Sequence, residues 1–350
     1  MLARMTDEVD AQTLAEADRR AYLEQRLFVF SPFGALATAS LLFLTLMVLF
    51  AAAAWSEHLV LFDAGGRVSS PMRMAFTLAL LLATALFVQR YTRLKEREDR
   101  DAFAAVLVPG ALERRNLVAL TPGEARLTRF TIIGVLAGLA ASWPMFGAEM
   151  LRQARPPYVS FAWFLIVNTL LITAFVRGVE LSRTGSRATA VAIDNDLVVD
   201  LLRIDTLSVW GRSAARFALI WFAVSAVGCL FFVDSGLTAF TISMIATFLA
   251  LGIWMFVRPM ERVHRRIRAV KAAELERIRC EIDALRPPAI ADADAAIRLQ
   301  SLLAYETRIA AAPEWPFDQT TLFRVGASAL ILTVPWFGQA VAGYIIEHVA

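Results

Sequence analysis

The feature that most constrains this chain is a series of long apolar runs. The stretches 34–55, 72–89, 129–148, 159–176, 216–233, 238–257 and 325–346 approach or reach 20 residues. That is the length an α-helix needs to cross about 30 Å of hydrocarbon. No water satisfies backbone groups there, so spanning segments must be helical. A soluble fold of 350 residues would also need more surface charge than the 19% present here beside 58% hydrophobic residues. The expected fold is an all-α polytopic membrane protein with about seven transmembrane helices.

Lysine and arginine give the direction. Of the 35 such residues, 31 lie in 1–33, 90–129, 177–216 and 258–324. Only Arg67, Arg73, Arg152 and Arg155 lie elsewhere. The positive-inside rule predicts N-inside and C-outside. The acidic, polar start "MLARMTDEVDAQTLAEADRR" is read as no cleavable signal peptide. The expected location is a bacterial inner (plasma) membrane, multi-pass. Trp55, Trp143, Trp163, Trp221 and Trp254 are expected at the membrane interfaces. A retinal protein is excluded by this orientation, and because the only lysines, Lys95 and Lys271, lie outside the spans. No internal repeat supports a transporter built from inverted halves. A net charge of +3 without a basic, aromatic groove excludes a nucleic-acid partner. Cys229 and Cys280 fall in different environments, so no disulfide is expected.

The organisation reads as an amphipathic cytoplasmic helix over 1–33 and a six-helix membrane region over 34–257, with cytoplasmic loops 90–128 and 177–215. A cytoplasmic helical hairpin and elbow follow over 258–324, then a seventh transmembrane helix and outer tail over 325–350. The mainly helical cytoplasmic layer rests on apolar spacing. Val263, Ile267, Val270, Leu275, Ile278 and Ile282 recur at near-helical intervals, followed by Ile297, Leu299, Leu302, Leu303 and Ile309. Pro259 permits a kinked continuation, and Pro287 and Pro288 stop the run. In the 177–215 segment, Val191 and Ile193 alternate before Asn195 and Asp196, which predicts a small β-hairpin with Leu197–Val199. Asp194, Asp196, Asp200 and Asp205 lack the glycine and glutamate of a calcium loop and read as turn residues.

Chemistry within the spans is sparse. No ionisable residue falls at a predicted span centre. Arg177, Arg216, Arg258 and Arg324 lie near inner ends, where they are expected to snorkel. Glu57, Glu149, Asp234 and Glu347 lie near outer ends and read as solvated or helix-end acids. Thr333, Gln339, Asn168 and Thr247 are the candidate pore or helix-packing residues. Pro335 and Gly338 form a candidate hinge, and Gly134 and Gly138 a packing face. Arg262, Arg265 and Arg266 are candidate contacts to anionic lipid just inside the membrane. His58, His264 and His348 cannot share one site in this topology, and no catalytic, metal or cofactor motif is present. No enzyme activity, metal or cofactor is expected.

The segment "PEWPFD" at 313–318 reads as a stiff elbow leading into the last span. Trp315 suits the interface, Pro316 disfavours an α conformation at Trp315, and Asp318 is placed to cap the helix that follows. "YETRIAAAPEWPFDQTTLFR", and less clearly "VVDLLRIDTLSVWGRSA", resemble segments of uncharacterised bacterial polytopic inner-membrane proteins. The resemblance carries no activity with it. It implies only that these surface elements belong to the fold.

The expected function is a membrane conduit: an oligomeric ion channel gated through its cytoplasmic helices. The alternatives are a membrane sensor or scaffold with a cytoplasmic protein partner, and a secondary transporter. Membrane lipids and further copies of the chain are the expected partners.

Overall fold

The computed structural model describes residues 33–62, 68–111, 124–143, 158–231, 238–286, 292–317 and 319–331. The first expected helix, over 1–33, and most of the seventh span lie outside these residues.

The described chain is all-α apart from two isolated bridges. Its helices are α1 (Ala35–Ser56), α2 (Ser70–Glu98), α3 (Arg100–Ala105), α4 (Glu124–Ser142), α5 (Tyr158–Asp196), α6 (Ser208–Cys229), α7 (Ala239–Leu285), α8 (Ala293–Ala310) and α9 (Gln319–Ile331). Six of them, α1, α2 and α4–α7, are long and apolar enough to cross a bilayer. The protein is therefore a multi-pass membrane protein.

Two helices greatly exceed a membrane's thickness. At 1.5 Å per residue, α5 is about 58 Å long and α7 about 70 Å. Both start apolar and turn polar, so each projects well beyond the hydrocarbon. In α7 the change comes at Arg258, and the helix continues through Pro259. Pro259 has no N–H to bond the preceding turn but does not end the helix here.

Contacts at the helix ends sort the bundle into two ends. The C-terminus of α1 meets the N-terminus of α5, where the Glu57 carboxylate accepts from the Val159 and Ser160 amides at 2.5 and 3.0 Å. At the other end, Asp99 after α2 bonds Arg216 of α6 at 2.7 Å. Arg126 of α4 pairs with Glu180 of α5, and Asp194 of α5 with Arg262 of α7 at 3.0 Å. Successive long helices therefore alternate in direction, and the charged extensions gather at one polar end.

The α1 C-terminus shows how local geometry sets this up. His58 has φ of 55°, the left-handed conformation that commonly follows a helix. Its amide bonds the Trp55 carbonyl at 3.2 Å, and the Leu59 amide reaches back to Ala54 at 2.9 Å. The chain thus turns sharply, and Glu57 is left facing the start of α5.

Among the described residues, three packed clusters hold the helices together. The apolar bundle centres on Phe50, Leu78, Leu82, Trp163, Phe164 and Val167 from α1, α2 and α5. A larger one lies at the polar end, where Leu107, Ile193, Leu207, Val209, Trp210, Met260, Val263 and Ile267 meet. A small third cluster, around Ile278, Ile282 and Ile309, closes α7 on α8 as a helical hairpin.

Several expectations are corrected. Residues 177–196 are not a loop: α5 carries through them. Val191 and Ile193 are helical rather than in a β-hairpin, because Ala192 and Ile193 bury one helical face in the polar-end cluster. The strand-like pairing is long-range instead. Leu197 bridges Leu107, with Val198 N–H to Val106 O at 3.0 Å and Val108 N–H to Asp196 O at 2.9 Å. Arg177 does not snorkel outward; it is buried within the protein because α5 keeps neighbours along its extension.

Trp163 and Trp221 are not simple interface anchors either. Their indole N–H groups donate to the Leu46 and Phe248 carbonyls at 3.1 and 2.9 Å, tying α5 to α1 and α6 to α7. Burying an indole N–H without an acceptor costs free energy, so these bonds favour the packed position. Trp55, by contrast, is 83% exposed.

Candidate functional site

The most elaborately bonded non-helical stretch is the elbow between α8 and α9. Residues 311–317 follow the end of α8 and run along α7 and the start of α6. Pro316, which has no amide to satisfy, is buried. Gly211 on α6 leaves the space: a Cβ there would lie 3.2 Å from both the Pro316 carbonyl oxygen and Phe317 Cβ. Phe317 packs on Phe256 of α7, ring centroids 5.6 Å apart.

One face of α7 grips this elbow. His264 stacks flat on Trp315, with centroids 4.1 Å apart and planes within 9°. His264 Nδ1 lies 2.9 Å from the Glu314 carbonyl oxygen, so that nitrogen carries the proton and donates. Lys271 Nζ donates to the Ala312 carbonyl at 2.8 Å and sits 3.5 Å from the Glu314 carboxylate. Arg268 approaches the same carboxylate at 3.8 Å. An aromatic stack, two bonds to backbone carbonyls and one acid shared by two cations therefore fix the elbow to the long helix. Trp315 and Pro316 lie in this clamp. Asp318, the expected cap, lies outside the described residues.

A second face of α7 carries the expected lipid contacts. Arg262 and Arg266 are one helical turn apart, with Arg265 beside them, and all three line a cleft of about 280 Å³ with Asp194 and Ala269. Arg262 Nη1 is 3.0 Å from Asp194, and Arg265 Nε is 3.8 Å from Glu261.

The hairpin beyond has its own polar network. Arg277 bonds Glu274 at 2.7 Å and Glu281 at 2.5 Å, while Tyr305 OH donates to Glu274 at 3.1 Å. Arg279 of α7 meets Glu306 of α8 at 2.9 Å. The hydrogen bond from Arg277 holds the Glu274 carboxyl below the ordinary carboxylate range, with Tyr305 helping against partial desolvation. Burial, and then the bond to Glu274, push the Tyr305 phenol up.

The polar residues of the apolar segments have different surroundings. Asn168 of α5 is buried and donates to Ser142 Oγ of α4 at 2.9 Å. Gly134 and Gly138 make this α4–α5 contact close: a Cβ on either would stand 2.7 Å from the Cα of Thr173 or Thr169. Thr247 is exposed on α7, its hydroxyl donating to the Ser243 carbonyl at 2.8 Å. Thr333, Gln339, Pro335 and Gly338 lie outside the described residues. Asn168 and Thr247 are thus on different helices, one packed and one outward-facing.

Sequence reasoning missed Glu180, the bonds from Glu57 to the start of α5, and the partners of His264. Glu180 is 4% exposed and sits beyond the expected span, paired with Arg126 of α4. The relevant signal would have been helical continuation past Arg177. Among the described residues, no group of three or more His, Cys, Asp and Glu side chains converges as a metal set.

Comparison with known protein families, with curated proteins and with solved structures returns no match. The resemblance noted for the 305–324 and 198–214 segments therefore rests on those segments alone.

Proposed function

We propose that the protein is an oligomeric membrane conduit, an ion channel, with its polar end in the cytoplasm of a bacterial cell. The carrying observation is the outward face of α7 in its apolar half. Ser243, Ala246, Thr247 and Ala250 are all exposed there, so small residues and two hydroxyls face away from the bundle. Small side chains favour close approach of helices within a membrane. Copies meeting on this face would bring rings of hydroxyls to a shared axis, and few polar residues per subunit would then suffice. The Lys and Arg distribution supports N-inside and C-outside with a seventh span over 325–346. The elbow clamp supports gating, since movement of the α7–α8 hairpin would pull directly on the segment entering α9.

The test is thiol cross-linking in a Cys229→Ser/Cys280→Ser background. Thr247→Cys is expected to give cross-linked oligomers in proteoliposomes that pass ions, while Leu136→Cys, also exposed but on α4, is not. Uncross-linked monomers in vesicles as tight as protein-free ones would overturn the channel. Saturable, solute-coupled uptake would instead make the protein a secondary transporter.

A sensor or scaffold is the second reading. It is favoured by Ile297 and Leu303, exposed on α8 at 65% and 45%. Co-purification of a soluble partner that Ile297→Glu releases, without any flux, would select it.

A further inference from the structure

The cleft at Asp194, Arg262, Arg265 and Arg266 has more cation than its carboxylate can use. Three guanidinium groups face one lining acid, and Asp194 is placed to occupy only one side of the Arg262 fork. Glu261 stands near Arg265 at 3.8 Å, with both side chains more than half exposed. The decisive detail is Arg266. Its Nε is buried and, among the described residues, has no hydrogen-bond partner. A buried donor lacking an acceptor is uncommon in a completed structure. Here it belongs to a side chain that lines an open, positively charged cleft, so a turn of the guanidinium toward an oxyanion there would supply the acceptor.

The spacing suits a phosphate group. Arg262 and Arg266 stand on one helical face about 6 Å apart, and each presents a planar fork of donors. Such forks bind phosphate oxygens in pairs. The depth puts Arg262 at the outer limit of the headgroup layer and Arg266 beyond it, on the aqueous side. Arg262 lies five residues and Arg266 nine residues beyond Val257, the last residue of the apolar half, or roughly 8 to 14 Å along the helix. The headgroup layer begins at the edge of the hydrocarbon and is about 5 to 8 Å deep. Arg258, with its guanidinium 4.7 Å over the Trp254 ring, marks that edge.

We propose that this cleft is a phosphate-binding site, in which Arg266 and Arg262 hold the oxyanion and Asp194 is the resident competitor. Lipid headgroup phosphate and free phosphate share this chemistry. The site is independent of whether the protein conducts.

The test uses the full chain in phosphatidylcholine nanodiscs. Inorganic phosphate is titrated by calorimetry, and phosphatidic acid is added to the bilayer and its retention counted by native mass spectrometry. One saturable equivalent per chain is expected for at least one probe. Arg266→Gln is expected to weaken it about tenfold or more, and Arg266→Lys several-fold, because lysine keeps the charge without the fork. Arg298→Gln, on α8, is expected to change nothing. Retention of phosphatidic acid that millimolar phosphate does not displace would assign the site to lipid; displacement would assign it to a free anion. Either upholds the proposal. Binding of neither probe, or binding unchanged by both Arg262→Gln and Arg266→Gln, would overturn it. Should those variants fail to fold, Asp194→Asn decides: tighter binding is expected as the competitor is removed, and unaltered affinity refutes the site.

Discussion

The α4–α5 seam of the apolar bundle and the polar-end junction are both built from helices, yet they are held together differently. In the bundle, α4 and α5 meet through the absence of side chains. Gly134 and Gly138 let two backbones touch, and Asn168 adds one hydrogen bond to Ser142. In the junction, bulky side chains fill space: Ile193, Leu207, Met260, Val263 and Ile267 are all almost fully buried. The contrast follows from solvent. Lipid is as apolar as leucine, so helices within it gain little from burying leucine and much from close contact. At the polar end water is the alternative, and burying large apolar groups is strongly favourable.

The largest predicted effect probes the junction. Ile267→Ala removes a wholly buried side chain from the cluster joining α5, α6, α7 and the elbow. It is expected to destabilise the protein by about 4 kcal/mol, through lost burial and a residual cavity. Thermal unfolding in mild detergent measures it. A loss below about 1 kcal/mol would mean that the junction is packed no better than the bundle.

Gly138→Leu is the matching probe of the bundle and should cost about 3 kcal/mol, because the obstacle is the Thr169 backbone rather than a movable side chain. The sharper distinction is in kind. Ala at position 138 should already be poorly tolerated, whereas Ile267→Val in the junction should cost only about 1 kcal/mol. Equal responses to these two small changes would erase the comparison.

Third is the elbow. Trp315→Ala removes the stack on His264, worth about 1 kcal/mol beyond the area it covers. If the protein is the channel proposed above and the elbow transmits movement from the hairpin, this variant should alter opening more than it alters stability. A stability loss with unchanged opening would reduce the clamp to a structural corner.

These regions were not equally legible from sequence. The bundle was visible because apolar length is a local property, and so was the α7–α8 seam, where Ile278, Ile282 and Ile309 occupy expected core positions. The elbow was legible as a stiff segment through Pro313 and Pro316. Its partners were not. His264 and Trp315 are 51 positions apart in the chain, and Glu57 lies 102 from the amide of Val159 that it accepts. No local pattern encodes such pairings. The 177–196 stretch was misread for a related reason: Val191 and Ile193 fit a strand by alternation, while the surface that makes them helical comes from α6 and α7. Glu57 offers the fourth test. Glu57→Gln loses the charge that faces the positive end of α5 and should cost about 1 kcal/mol, separating this long-range cap from an idle surface acid.

The smallest effect concerns a third kind of attachment, the ionic seam of the hairpin. Glu274 accepts from Arg277 and Tyr305, and its carboxyl is held below its ordinary value. Its contribution is therefore complete above the usual carboxylate range, near pH 4, and is lost as pH falls through the depressed value. Tyr305 works in the opposite sense. Burial raises its phenol, so its contribution is complete below about pH 10 and is lost as pH rises through the raised value. The seam should consequently hold steady across neutral pH and loosen at both extremes. Hydrogen-exchange protection at Ile278 and Ile309, corrected for the intrinsic pH dependence of exchange, reads this directly. Glu274→Gln should remove the acid limb, and Tyr305→Phe the alkaline one. The clamp beside the junction rests on His264, Lys271 and Glu314 rather than on Glu274 and Tyr305, so protection at Ile267 should not respond to Glu274→Gln or Tyr305→Phe. If it does, hairpin and junction open as one unit, and the elbow is clamped to a single rigid body rather than lying between two parts that can move.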